Sequence, residues 1–87
     1  MSYFQWETIG DDVWGEVSQA LAKFPAFNSA HEGFAVLLEE VDELKACVWS
    51  KQGRRDVVAM RHEAVQVAAM AIRFIHDVCD SEQKGQK

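Results

Sequence analysis

Three glutamates and an aspartate fall within five positions of one segment, Leu38-Glu39-Glu40-Val41-Asp42-Glu43-Leu44. A further acid, Glu63, stands three residues before Gln66 in an otherwise apolar stretch, with Val67, Met70 and Phe74 close by. An ionised carboxylate buried without a partner is costly, so an acid in such company is protonated, paired with Arg or Lys, or ligating a cation. Hard divalent ions such as Mg²⁺ take oxygen ligands, and helical i, i+3 and i, i+4 spacing projects carboxylates towards one point. The chemistry that follows is phosphoryl transfer or hydrolysis. Two other readings compete with it: a solvated acidic helix face, and a purely structural bundle whose acids are neutralised by Arg61, Arg73 or Lys45.

The elements that must position these acids are three helices. Asp11 or Asp12 can cap a short first helix whose apolar residues Val13, Trp14, Val17, Ala20, Leu21 and Phe24 recur at three- and four-residue steps. Pro25, the only proline, cannot continue it. Ser29 and Glu32 have capping-box spacing and open a second helix, expected to run through Phe34, Leu37, Leu38, Val41, Leu44 and Val48 as far as Gly53. On a helical wheel Leu37, Leu38, Val41 and Leu44 cluster as the expected core face, and Glu39, Glu40 and Glu43 share the opposite side. Val36 and Cys47 lie among those acids, so that side is expected to be partly covered. Asp56 is a natural N-cap for a third helix reaching about Cys79. Its apolar residues leave almost no face bare, so it is expected to be buried on more than one side, with a subunit interface supplying part of the cover.

Glu39-Glu40-Val41-Asp42-Glu43 and Glu63-Ala64-Val65-Gln66, set in HEGFAVLLEEVDEL (31–44) and EAVQVAAMAIRF (63–74), resemble the paired acidic motifs of the MazG-like all-α nucleoside triphosphate pyrophosphohydrolases. Those motifs are EExxE on one helix and ExxD on a later one, and here Gln66 replaces the Asp. The resemblance covers about residues 29 to 79. It implies a helical bundle that assembles as a homodimer or homotetramer, binds Mg²⁺, with Mn²⁺ as a substitute, and splits an NTP or dNTP into the monophosphate and pyrophosphate. Carried over by position, Glu40, Glu43 and Glu63 are the implied metal ligands, and Glu39 a ligand or the group that orients the attacking water. Gln66 would offer an amide oxygen with no charge, which weakens the ion's hold. The alternative is therefore a catalytically weak or inactive nucleotide- or metal-binding module of the same fold.

Under the enzyme reading, Lys51, Arg54 and Arg55 are candidates to neutralise the phosphates, against the plainer reading of a solvated basic loop. Trp49 is a candidate to stack on the base, or to pack at a subunit contact. Trp6 and Trp14 are expected in the core or an interface. His31, His62 and His76 form no metal-binding spacing and are read as surface or capping residues.

Composition bounds the remainder. In 87 residues, nine Lys+Arg against 14 Asp+Glu give a net charge of −5, which argues against the phosphate backbone of nucleic acid as a partner. With 48% hydrophobic and 26% charged residues, the chain reads as one small all-α domain over 1–80, its core completed by oligomerisation, with a polar tail over 81–87 expected to be disordered. Cys47 and Cys79 carry no CxxC pair and are expected as reduced, buried thiols. No apolar run reaches the length of a membrane span and no signal-peptide pattern opens the chain, so a cytoplasmic protein is expected.

Overall fold

A computed structural model describes residues 3–50, 53 and 55–81. These residues form three α-helices, α1 (Tyr3–Lys23), α2 (Ala30–Val48) and α3 (Val57–Phe74), and α3 continues directly into a π-helical stretch, Ile75–Asp80. No strand occurs among the described residues. The fold is all-α, with α3 packed against both α1 and α2. Lys51 and Arg54, and the tail from residue 82 onward, lie outside the described residues.

The first helix starts two turns earlier than the Asp11–Asp12 cap suggests. Ile9 packs on the core formed by Val13, Val17, Ala20, Val65, Ala69 and Met70, so the buried stripe of α1 extends back through Ile9, Val13, Val17 and Ala20 at steps of four, four and three. Asp11 and Asp12 therefore lie inside the helix and cap nothing. Asp12 instead pairs with Arg61 of α3, oxygen to nitrogen 2.8 Å. Trp14, Leu21 and Phe24 share the apolar periodicity but point away from the core, and Trp6 is likewise exposed.

The second helix opens where its cap signals place it. Ser29 Oγ accepts from the Glu32 N–H at 3.1 Å, while the Glu32 carboxylate reaches one residue further back than in the standard box, accepting from the Asn28 N–H at 2.8 Å. The helix stops at Val48, short of Gly53, and side chains satisfy its last carbonyls. Ser50 Oγ donates to Cys47 O at 2.7 Å and Arg55 Nη2 to Val48 O at 2.9 Å.

The buried side of α2 is also turned relative to expectation. Gly33 is buried against the rings of Phe27 and Phe74, so close that a Cβ built there would lie 2.8 Å from Phe74 Cδ2 and 2.9 Å from Phe27 Cδ2. That approach fixes the seam with α3 along Gly33, Val36, Leu37, Glu40 and Leu44, at helical steps of three and four. Leu38 and Val41, expected in the core, are 43% and 39% exposed.

Asp56 caps α3 as its position suggests, Oδ1 accepting from the Ala59 N–H at 3.1 Å. Buried residues of this helix include Val65, Ala69, Met70 and Arg73, whereas Val57, Val58 and Ile72 stay exposed. Both cysteines are free. Cys47 is half-buried, but Cys79 is exposed on the π-helical turn rather than buried. No described helix is long and apolar enough to cross a membrane.

Candidate metal centre and adjoining cleft

Glu40 stands seven residues after Gly33, two helical turns along the same face, so the packing that buries Gly33 also draws Glu40 into the α2–α3 seam. Glu43 lies one turn further, at i+3. From α3, Glu63 faces them, and an oxygen from each of the three carboxylates lies within 4.8 Å of the others. Two helices thus bring together three of the four residues expected as metal ligands.

The electrostatics of the cluster are those of under-compensated negative charge. Burial pushes the Glu40 carboxyl above the usual carboxylate range, and Glu43, Glu63 and Glu39 push it in the same direction. Glu63 is raised by burial and then by the adjacent Glu43, with His62 opposing. Glu63 Oε2 is buried and has no hydrogen-bond partner. The cations that could have neutralised the acids are engaged elsewhere: Arg61 with Asp12, Arg73 with Asp77, and Lys45 over the Trp49 ring at 5.8 Å. Among the described residues no Lys or Arg forms an ion pair with Glu40, Glu43 or Glu63.

These features fit a hard divalent cation. The donor set is all oxygen, one donor is orphaned, and oxygens about 2.1 Å from Mg²⁺ sit up to about 4.2 Å apart across an octahedron. The three carboxylate oxygens lie within 4.8 Å of one another, slightly wider than that spacing.

Beside the acids opens a cleft of about 540 Å³ between α1, α2, α3 and the α1–α2 linker. Glu40 and Gln66 line it, which puts Gln66 next to the cluster, and Phe24, Phe27 and Met70 supply apolar wall. Its lining residues are half apolar and half polar, with Glu16, Glu32 and Glu40 set against Lys23, and its volume suits a small organic ligand. Lys23 is the cation on its wall among the described residues. The sequence reading gave no role to Lys23 or Phe27, and the one signal available was their position beside the lone Pro25, where the linker turns back over α3.

Glu39, one residue and about 100° round the helix from Glu40, is exposed and outside the three-carboxylate group. Trp49 and Arg55 line a separate small depression with Val48 and Ser50, which none of the acids enters. There Arg55 is held on the last turn of α2, where a cation complements the helix C-terminus. Of the histidines, His31 and His62 are exposed, and the exposed ring of His76 places Nδ1 2.8 Å from Asp77 Oδ1. Compared with family models, curated proteins and solved structures, the chain matches none.

Proposed function

We propose that this chain is a Mg²⁺-dependent nucleoside triphosphate pyrophosphohydrolase, converting an NTP or dNTP to the monophosphate and pyrophosphate. The observation that carries the reading is the convergence of Glu40, Glu43 and Glu63 with no Lys or Arg paired to them among the described residues and with one buried oxygen left unpartnered. The paired-motif resemblance supplies the reaction. Mg²⁺ bound there would offer charge for the phosphate oxygens and a more acidic bound water. Glu40, Glu43 and Glu63 would hold the ion, and Gln66 would offer a neutral oxygen beside them. Glu39 is the group proposed to orient the attacking water and take its proton as pyrophosphate leaves. The nucleoside half lies in the cleft that Glu40 and Gln66 border. Lys23 at its wall is available to the phosphates, with Lys51, Arg54 and Arg55 of the loop between α2 and α3 as further candidates, while Trp49 lines the separate depression instead.

The oligomer belongs to the same proposal. Among the described residues no large side chain is fully buried, while Trp6, Trp14, Phe34, Leu38, Ile72 and Ile75 are among those left at the surface. So thin a core in so short a chain is the situation in which a second copy completes the fold. Replacement of Asp by Gln66 favours a second reading, a nucleotide- or metal-binding module without turnover.

Pyrophosphate release from the common NTPs and dNTPs, with Mg²⁺, with Mn²⁺ and with EDTA, tests the enzyme. Metal-dependent release that Glu43→Gln and Glu63→Gln both abolish, with the helical circular-dichroism spectrum intact, is the expected result. No release from folded protein that still binds the metal would leave the binding module.

A further inference from the structure

Arg73 and Asp77 are the buried charged residues among those described, and their partners are all at one place. Arg73 Nε donates to Asp77 Oδ2 at 2.9 Å, Nη1 to Ala20 O at 3.2 Å, and Nη2 to Phe24 O at 2.8 Å and to Pro25 O. The Phe27 N–H donates to Asp77 Oδ2 at 3.2 Å, and the guanidinium lies over the Phe27 ring, 5.1 Å from its centre. One ion pair on α3 and its π-helical extension therefore holds a carbonyl in the last turn of α1 and the backbone of the linker that follows.

Stability alone does not account for such a pair. A buried ion pair is often no better than apolar side chains of similar volume, because desolvation offsets the attraction. What apolar side chains cannot do is hold the carbonyls of Ala20, Phe24 and Pro25 and the N–H of Phe27 in one backbone path. Phe24, Pro25 and Phe27, the residues so fixed, line the 540 Å³ cleft whose other side carries Glu40 and Gln66. The pair spans the junction of α3 with a π-helical turn, an irregularity frequent at functional sites.

We infer that Arg73 and Asp77 are the positioning residues of the ligand cleft: by fixing the α1–α2 linker they set the Phe24–Phe27 wall on which the nucleoside half of the nucleotide lies. The inference rests on the reading given under Proposed function. It separates two tasks in one small fold, with the acids holding the metal and the buried pair setting nucleotide affinity.

The test uses the full chain, Mn²⁺ alone as one probe, and the common nucleoside monophosphates with Mg²⁺ as the other. Asp77→Asn keeps the shape and one acceptor but removes the charge. Phe24→Ala removes an exposed part of the wall without touching the core. Each variant is expected to weaken nucleotide binding about tenfold or more, corresponding to about 1.4 kcal/mol, with Mn²⁺ affinity unchanged. In turnover, KM rises with kcat unaltered. The double variant is expected to bind no more weakly than the worse single one, since both act through the same wall. Wild-type nucleotide affinity in Asp77→Asn, with only a lower melting temperature, would reduce the pair to a structural role and overturn the inference. Equal loss of Mn²⁺ affinity would overturn it too, by showing a general distortion. Should Asp77→Asn not fold, Phe24→Ala decides, and unchanged nucleotide affinity there defeats the proposal. A wild-type chain that takes up Mn²⁺ but none of the nucleotides would instead bring down the nucleotide reading, and this inference with it.

Discussion

Glu63 on α3 faces Glu43 on α2 with one of its oxygens buried and unpartnered, so the two helices meet at a point where their acids repel. A fold tolerates that when something of opposite charge is bound, or when a proton is. The pH dependence follows from the directions of the shifts. Glu40 and Glu63 have raised values, so they stabilise the metal-free fold fully below the ordinary carboxylate range, and that contribution is lost as pH rises through the raised values. The metal-free chain is therefore expected to melt higher at pH 5 than at pH 7. Mg²⁺ is expected to reverse the order, since protons compete with it. At 100 times its Kd the ion adds about 2.7 kcal/mol, and thermal melts at the two pH values, with Mg²⁺ and with Na⁺ at matched ionic strength, check both signs. An equal response to Na⁺ would mean screening rather than binding.

Glu63→Gln separates charge from packing at the same place. Removing one of three close carboxylates relieves like-charge repulsion, so the metal-free variant at pH 7 is expected to be as stable as wild type or more so, by about 1 kcal/mol or less for partly screened groups. Its response to Mg²⁺ is expected to vanish. A variant that loses metal-free stability would show instead that the carboxylate is a packing residue. Calorimetry with and without Mg²⁺ reads both quantities on one sample.

Gly33→Ala sets helix propensity against space. Alanine is favoured over glycine inside a helix by about 1 kcal/mol. The added Cβ, however, would come within 2.8 Å of Phe74 and 2.9 Å of Phe27, and overpacking of that kind costs about 1–3 kcal/mol. The expected outcome is net destabilisation, seen as a melting temperature lower by several degrees. A rise would mean that the α2–α3 seam opens easily and that the position of Glu40 is not fixed by it.

Asp77 gives the opposite pH sign to the glutamates. Burial alone would raise its carboxyl, but the hydrogen bonds from His76, Arg73 and the Phe27 N–H carry it below the usual range. A lowered value gives stability that is present above the ordinary carboxylate pKa and is lost as pH falls through the lowered one, below about pH 4. Asp77→Ala removes that acid-side loss and leaves Arg73 charged and buried, at a cost of about 3 kcal/mol or more. Acid titration followed by circular dichroism is expected to show a wild-type step below pH 4 that an Asp77 variant lacks.

What the sequence made legible was whatever depended on near neighbours in the chain. Ser29 with Glu32, and Asp56 before Ala59, are capping signals complete within three residues, and both helices begin there. The acid pairing was legible because helical spacing alone gathers Glu40 with Glu43 and Glu63 with Gln66. Which way α2 faces was not, since Leu38 and Val41 look as core-like as Val36 and Leu37, and only the approach of Phe27 and Phe74 to Gly33 decides between the two faces. Asp11 and Asp12 resembled a cap for the same reason: nothing local says that Ile9, a turn earlier, already touches α3. The Arg73–Asp77 pair carried a faint signal, an i, i+4 ion pair at the end of an apolar helix, but its backbone partners lie 48 to 53 residues away.

Gln66→Asp is the substitution that tests whether the departure from the paired motif sets the strength of the site. Gln66 lines the cleft beside Glu40 and brings an oxygen without charge. An aspartate adds a fourth negative charge beside Glu40, Glu43 and Glu63, so the metal-free fold is expected to lose stability at pH 7 through repulsion. With Mg²⁺ the sign inverts, because a carboxylate holds the ion more strongly than an amide, and an affinity gain of about tenfold is a reasonable scale for one such exchange. Metal titrations followed by melting temperature, run beside pyrophosphate release, distinguish the outcomes. Tighter metal binding with faster release makes Gln66 a ligand in an attenuated enzyme. Tighter binding without release makes the wild-type chain a binding module. An unchanged metal response shows that position 66 lies outside the ion's reach and that the three glutamates hold it alone.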